Sequence, residues 1–223
     1  MSGTIYLLAC WARRAGLGDG LIAQSAMFFI LALTTSVLAI GSDSNLLIQV
    51  LPGLIWVLVL LASLLGLPDL LNRDAHEGLL DDIVLSPRPL PLLMALKGAS
   101  HWVSTGLPLA VIAPGILYVM DARHMYDPVY VFAGLAAGSL YFSSIGLIAA
   151  ALVLQARRSF ALYAVIVLPL AFPGLIFGAG ALTIQGMGIA SHTGFSFLLA
   201  CSAAFATLAP FASAWIVRMK VRS

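Results

Sequence analysis

The chain has 223 residues, 61% of them apolar and only 9% charged. A soluble domain of ordinary composition is about 45–50% apolar and about 25% charged, so too little polar surface is present here to clothe the apolar mass. The net charge of +2 excludes a nucleic-acid-binding charge pattern. Cys10 and Cys201, one near each end, form neither a disulfide framework nor a zinc or haem-attachment spacing.

What remains is an all-α polytopic membrane protein, a single transmembrane domain over residues 1–223. Its spans are marked by where charge is missing. No charged residue lies between Asp19 and Asp43, Asp43 and Asp69, Lys97 and Asp121, or Asp127 and Arg157, and the 59 residues between Arg158 and Arg218 are also uncharged. A helix needs about 20 residues to cross the hydrocarbon, so the last stretch holds two spans. Six transmembrane helices are predicted, near 21–41, 47–68, 98–120, 128–154, 159–183 and 195–217.

The N-terminal piece, residues 1–20, precedes the first span. Thr4 is suited to cap a helix, and Ile5, Leu8, Trp11, Ala12 and Ala15 follow at helical spacing. With Arg13 and Arg14 at headgroup level this reads as an amphipathic helix along the cytoplasmic surface; the bland reading is a basic tail that only sets topology. With the N-terminus inside, ten of the eleven basic residues fall on the cytoplasmic side and only Arg123 falls outside. That asymmetry predicts an N-in, C-in inner-membrane protein.

The loop between spans two and three, residues 69–91, carries five of the nine acids: Asp69, Asp74, Glu77, Asp81 and Asp82. In a helix, Asp74, Glu77 and Asp81 share one stripe, and Arg73 is four residues from both Asp69 and Glu77. Beyond Gly78, Leu79, Leu80, Ile83 and Val84 add an apolar surface. Pro87, Pro89 and Pro91 are expected to stop any helix and give an extended exit toward Lys97. A short charged helix with an apolar edge suits docking to a soluble partner, whereas an ordinary solvated loop is the other reading of such a charge run.

Further along, Ser and Thr inside spans, such as Ser104, Thr105, Ser139, Ser143 and Ser144, fit helix packing. Gly134 with Gly138, and Gly174 with Gly178, are small-residue pairs that let backbones approach. Pro169 and Pro173 each remove a backbone donor, so a kink or break in span five is expected, followed by a periplasmic re-entrant segment within 173–193. For a haem on the outer side the ligand-type residues are His124, Met125 and His192, with Met120 and Met187 nearby; a loop histidine is also an ordinary surface residue.

Several absences narrow the chemistry. No Gly-Lys pair exists, so no P-loop holds ATP phosphates. His76-Glu77 is followed by Gly78, Leu79 and Leu80 rather than a second metal-binding histidine, and no Gly-x-Ser-x-Gly elbow occurs. The spans lack ionisable residues away from their ends, which argues against a proton or ion pathway. No catalytic or metal site is expected.

The residues also resemble a family. Leu51-Pro-Gly-Leu-Ile-Trp56-Val, Leu61-Ala-Ser-Leu-Leu, Asp74-Ala-His-Glu-Gly78-Leu-Leu-Asp-Asp, Leu85-Ser-Pro87, Pro89-Leu90, Lys97 and His101-Trp102, followed by Leu168-Pro-Leu-Ala-Phe-Pro173-Gly-Leu-Ile-Phe-Gly178, look like the haem exporter B family of cytochrome c maturation. The likeness runs from about Phe28 to Arg218. One departure is Asp81-Asp82, where the family pattern leads one to expect a Glu near the Gly-Leu element. The resemblance implies an ABC-2-type exporter membrane subunit without its own ATPase, with two copies per complex. Residues 1–20 then take the role of an elbow helix and 69–91 that of a coupling helix. Arg73, Asp74, Glu77, Gly78, Asp81 and Asp82 become the docking surface. The implied partners are an ABC ATPase subunit that binds ATP, a haem-handling membrane protein, a small membrane tethering peptide and a periplasmic haem chaperone. Haem would be cargo rather than a resident cofactor. The rival readings are an ABC-2 permease for a lipid, glycan or drug, and a non-transporting scaffold for an ATPase.

Overall fold

A computed structural model describes residues 20–41, 44–67, 69–76, 89–119, 127–154, 159–183 and 189–222. Among these residues every element is helical and none is a strand. In chain order they are α1 (Leu21–Ile40), α2 (Ser44–Leu64), α3 (Asp69–His76), α4 (Leu90–His101), a π-helical turn (Trp102–Gly106), α5 (Leu107–Val119), α6 (Pro128–Val153), α7 (Ser159–Thr183) and α8 (Ile189–Arg222). Five helices are long and apolar enough to cross a membrane: α1, the continuous α4–α5 unit, α6, α7 and α8. A shorter apolar stretch, Gln49–Leu64, lies within α2.

Helix α6 is the axis. Its central residues Tyr141 to Leu147 are all buried, and its neighbours fix the directions of the rest. Tyr130 stacks near Phe195, Ser202 Oγ donates to the Ala137 carbonyl, and Lys220 reaches the Leu152 carbonyl, so α8 runs parallel to α6. Gly146 faces the Tyr163 hydroxyl and Gly174 faces Tyr141, so α7 is antiparallel to it. Gly98 faces Leu147 while Gly106 faces Ser139, which makes the α4–α5 unit antiparallel as well. Trp56 meets Gly138, and Leu67 meets Gly146, so α2 runs parallel.

Small residues allow this closeness, as the sequence pairs predicted. Gly138 of α6 and Gly178 of α7 both abut the Trp56 indole, and a methyl group at either would overlap the ring. Gly174 gives the same room to Tyr141. Without a hydrophobic drive between helices in lipid, such van der Waals fit is what holds a bundle together. The outer faces remain apolar: Val165, Ile176, Phe211 and Trp215 are exposed, as lipid contact requires.

Four expectations are corrected. The third span starts at Leu90, not near 98. Pro89 is the extended N-cap residue and Pro91 sits in the first turn, where its missing N–H costs nothing, so these prolines open a helix at Leu90 in place of the extended exit toward Lys97. Pro169 and Pro173 do not break α7, which is continuous to Thr183. They lie four apart, and between them the Leu170 carbonyl accepts a 2.7 Å bond from the Tyr141 hydroxyl. A neighbouring helix thus supports the weakened stretch. Residues 173–183 are therefore helix rather than re-entrant chain, and 189–193 already belong to α8. Residues 184–188 lie outside the described ones, as do the expected elbow helix at 1–19 and positions 77–88 of the loop. Of the coupling segment, only α3 is described.

Candidate functional site

The described basic residues gather at one end of the bundle. Among the described basic residues, Arg73, Lys97, Arg218, Lys220 and Arg222 all lie at the end where α3 begins, α4 starts and α6 and α8 finish. At the opposite end Asp127 caps α6, its carboxylate accepting the Val129 N–H at 2.9 Å. The Lys220 ammonium donates to the Leu152 and Leu154 carbonyls at 2.6 and 2.9 Å. A cation there satisfies orphan carbonyls and complements the helix dipole of α6.

Helix α3 follows a turn at Gly66, whose φ of 77° suits glycine. Leu67 and Leu71 are fully buried and Leu70 nearly so, which lays α3 against the bundle. Lys97, on α4, is 3% exposed. A lone lysine in an apolar helix needs partners, because an unpaired buried charge is costly. Its Nζ donates to the Leu70 carbonyl at 2.7 Å and pairs with the Asp74 carboxylate. Asp74 is thus turned inward onto α4, not outward along a stripe. Of the residues assigned to docking, it is the one whose side chain is described; Arg73 lies on α3, while Glu77, Gly78, Asp81 and Asp82 fall outside the described residues.

Above Lys97 the third span departs from α-helical geometry. The Leu107 N–H bonds to the Trp102 carbonyl, an i→i−5 bond that widens the turn. Three contacts clamp this turn to α6. The Trp102 indole donates to the Ala136 carbonyl and to Ser139 Oγ, both at 3.1 Å. His101 Nδ1 lies 3.1 Å from Ser143 Oγ, with His101 fully buried. Gly106 packs on Ser139, where an added methyl would sit 2.6 Å from its Cβ. Ser139 and Ser143, read from sequence as packing residues, do pack, and they do so by hydrogen bonding across helices. Gly106→Ala is accordingly expected to strain the α5–α6 contact by about 1–3 kcal/mol, the usual cost of overpacking. Thermal unfolding of the detergent-solubilised protein should show a lowered midpoint.

No group of three His, Cys, Asp or Glu side chains among the described residues is placed to hold a metal ion. The outer haem-ligand residues His124 and Met125 lie outside the described residues. His192 falls on α8, and its side chain is not among those described. Pro169, Pro173, Gly174 and Gly178 are all on α7; the two prolines are exposed, while Gly174 and Gly178 let Tyr141 and Trp56 approach.

Sequence reasoning missed two features here. The Asp74–Lys97 pair spans two elements, so no helical period marks it; its signal was a single lysine inside an apolar run. The π-helical turn in Trp-Val-Ser-Thr-Gly has no compositional mark.

An apolar bundle with a charged end, a pinned surface helix and no catalytic constellation among the described residues defines an integral membrane protein of the helical, multi-pass class. The family model described as CcmB protein matches residues 11–220. The heme exporter protein B of Paracoccus denitrificans is 37% identical over 215 residues, covering 95% of each chain. Its counterpart in Pseudomonas aeruginosa is 36% identical over 200 residues, 90% of this chain and 89% of that one. That of Bradyrhizobium diazoefficiens is 39% identical over 210 residues, 93% and 92% of the two chains. The chain belongs to the CcmB protein family.

Proposed function

We propose that this chain is the membrane subunit of an ATP-driven exporter in cytochrome c maturation. It spans the inner membrane six times, with both termini in the cytoplasm and α2 as the second span. A separate ATPase docks on α3 and the loop that follows. ATP hydrolysis there drives haem handling and release of the haem-loaded periplasmic chaperone. A haem-handling membrane protein and a small tethering peptide complete the assembly, with two copies of this chain. The observation that carries this reading is α3 itself: a short charged helix pinned to the bundle at its basic end, in a chain whose relatives are named heme exporter protein B.

Affinity purification of the tagged chain from its own membranes tests it. A small ATPase should come down together with haem-pathway proteins, and deleting the chain should abolish cytochrome c yield. An ATPase without haem-pathway proteins would point to another cargo. Cytochrome c yield that is insensitive to ATPase inactivation would point to a scaffold.

The topology has its own test. With Cys10 and Cys201 replaced by serine, single cysteines at Ser42 and Ser191 should react with an impermeant thiol reagent in spheroplasts. A cysteine at Ser86 should react only after lysis. Labelling at position 86 in intact spheroplasts would overturn the N-in arrangement, which rests on ten of eleven basic residues sharing one side.

A further inference from the structure

We propose that the outward face of α8, at the basic end of the bundle, is a site for an anionic phospholipid. The lipid phosphate binds at Arg218 and Arg222, and an acyl chain lies along the apolar ridge that leads up to them.

The charge distribution points to an anion. Five of the eleven basic residues, Arg157, Arg158, Arg218, Lys220 and Arg222, lie beyond Asp127, and none of the nine acids does. This half of the chain has no carboxylate of its own to set against its cations. Lys220 is turned to the bundle, where it donates to the Leu152 and Leu154 carbonyls. Those carbonyls end α6, so this part of α8 stands at the level where a span leaves the hydrocarbon. Arg218 is exposed instead. Arg222 follows it by four residues in the same continuous helix. Like charges at that spacing repel each other. A phosphate held by both removes the repulsion, and a guanidinium fork matches phosphate oxygens two at a time.

The ridge points to a lipid. Positions 204, 208, 211, 215, 218 and 222 recur at steps of four and three, which is one face of a helix. Ala204, Leu208, Phe211, Trp215 and Arg218 are all exposed, whereas Ser213, Ala214, Ile216 and Val217 are buried. Leu208 and Arg218 are ten residues apart on α8, about 15 Å along its axis. That is the depth of one leaflet, half of a hydrocarbon core of about 30 Å. Trp215, 65% exposed, precedes Arg218 by three residues. An indole there sits where apolar chains give way to headgroups. The face is thus apolar for the depth of a leaflet and cationic at its rim.

A second copy of the chain fits this face less well. In two-fold pairing a surface meets itself. Arg218 and Arg222 would then approach their own counterparts, with no acid from this half of the chain to separate them, and like charges across an interface disfavour it.

Brominated lipids test the site directly, because bromine quenches a tryptophan it touches. The full chain is reconstituted in phosphatidylcholine vesicles that carry equal mole fractions of brominated phosphatidylglycerol or brominated phosphatidylcholine. Brominated phosphatidylglycerol should quench more, and Trp215→Phe should remove that excess. An arginine near an anionic surface is worth about fivefold in binding, so Arg218→Gln/Arg222→Gln should lower the preference for phosphatidylglycerol at least about fivefold. Arg218→Gln alone should shift it in the same direction. Quenching by brominated phosphatidylcholine should stay at the wild-type level in both variants, which shows that they are inserted with Trp215 still facing lipid. Equal quenching of the wild-type chain by the two lipids, or an excess that survives in the double variant, would overturn the proposal. Loss of the excess to inorganic phosphate at matched ionic strength would assign the arginines to a free anion and overturn the lipid site. Absence of any Trp215-dependent quenching would show that protein covers the face, and would overturn it as well.

Discussion

Trp56→Ala will unfold this protein at a markedly lower temperature than any single change on its lipid-facing surface. The indole is wholly buried where α2, α6 and α7 meet. It fills the space that Gly138 and Gly178 leave open, and its ring meets Phe142 edge-on at 6.2 Å. Two glycines cannot move inward to replace it, since they carry no side chain. Large-to-small changes of this kind cost about 3–5 kcal/mol when the site cannot collapse. Lipid tails offer no remedy, because the junction is enclosed by three helices. Trp56→Phe keeps much of the volume and should cost far less. Exposed Trp215, changed to alanine, serves as the control and should shift the midpoint little. A thermal midpoint for Trp56→Ala equal to that of Trp215→Ala would refute the three-helix junction.

Much of this architecture is legible in the sequence, for identifiable reasons. Helices α1, α6 and α7 begin and end within a residue of expectation, because sharp signals bound them: Gly20 and Gly41, Asp127-Pro128, and Arg157-Arg158 before Ser159. The third span is misplaced because Lys97 reads as a boundary. A charge normally ends an apolar run, but here Asp74 and the Leu70 carbonyl hold it inside one. The prolines mislead in both directions. Pro89 and Pro91 open a helix, and Pro169 and Pro173 are tolerated within one where Tyr141 donates to the intervening backbone.

The detail around α3 is not legible in the sequence. Five acids stand out in one loop, and helical periodicity puts Asp74, Glu77 and Asp81 on one shared stripe. That Asp74 turns inward depends on Lys97, 23 positions away and supplied by a different helix. Trp102 and Gly106 are similar. As letters they are an interfacial aromatic and a small residue, while in the fold they clamp a widened turn onto α6. Tertiary contacts of this kind leave no mark on a helical period.

Glu77→Arg is expected to separate membrane insertion from ATPase binding. Glu77 follows α3 directly and shares its sequence stripe with Asp74 and Asp81. Asp74 pairs with Lys97, and Glu77, Asp81 and Asp82 are the other acids of this stretch of the sequence. On the proposed reading the ATPase approaches from the cytoplasm, the side to which this loop is assigned. Reversal leaves every span untouched, so membrane levels should match wild type. It also sets a like charge four residues from Arg73. At a docking surface a mismatched charge can cost several kcal/mol, which is enough to release a partner of ordinary affinity. ATPase co-purification should fall, haem-loaded chaperone should accumulate without delivery, and cytochrome c yield should drop. In a merely solvated loop the same substitution stays within about 0.5 kcal/mol and changes none of these. Reversal at Asp82 should act in the same direction, whereas reversal at Asp127, at the opposite end of the bundle, should leave ATPase binding intact. Co-purification from membranes, with cytochrome c yield measured in parallel, decides between a docking surface and an ordinary loop.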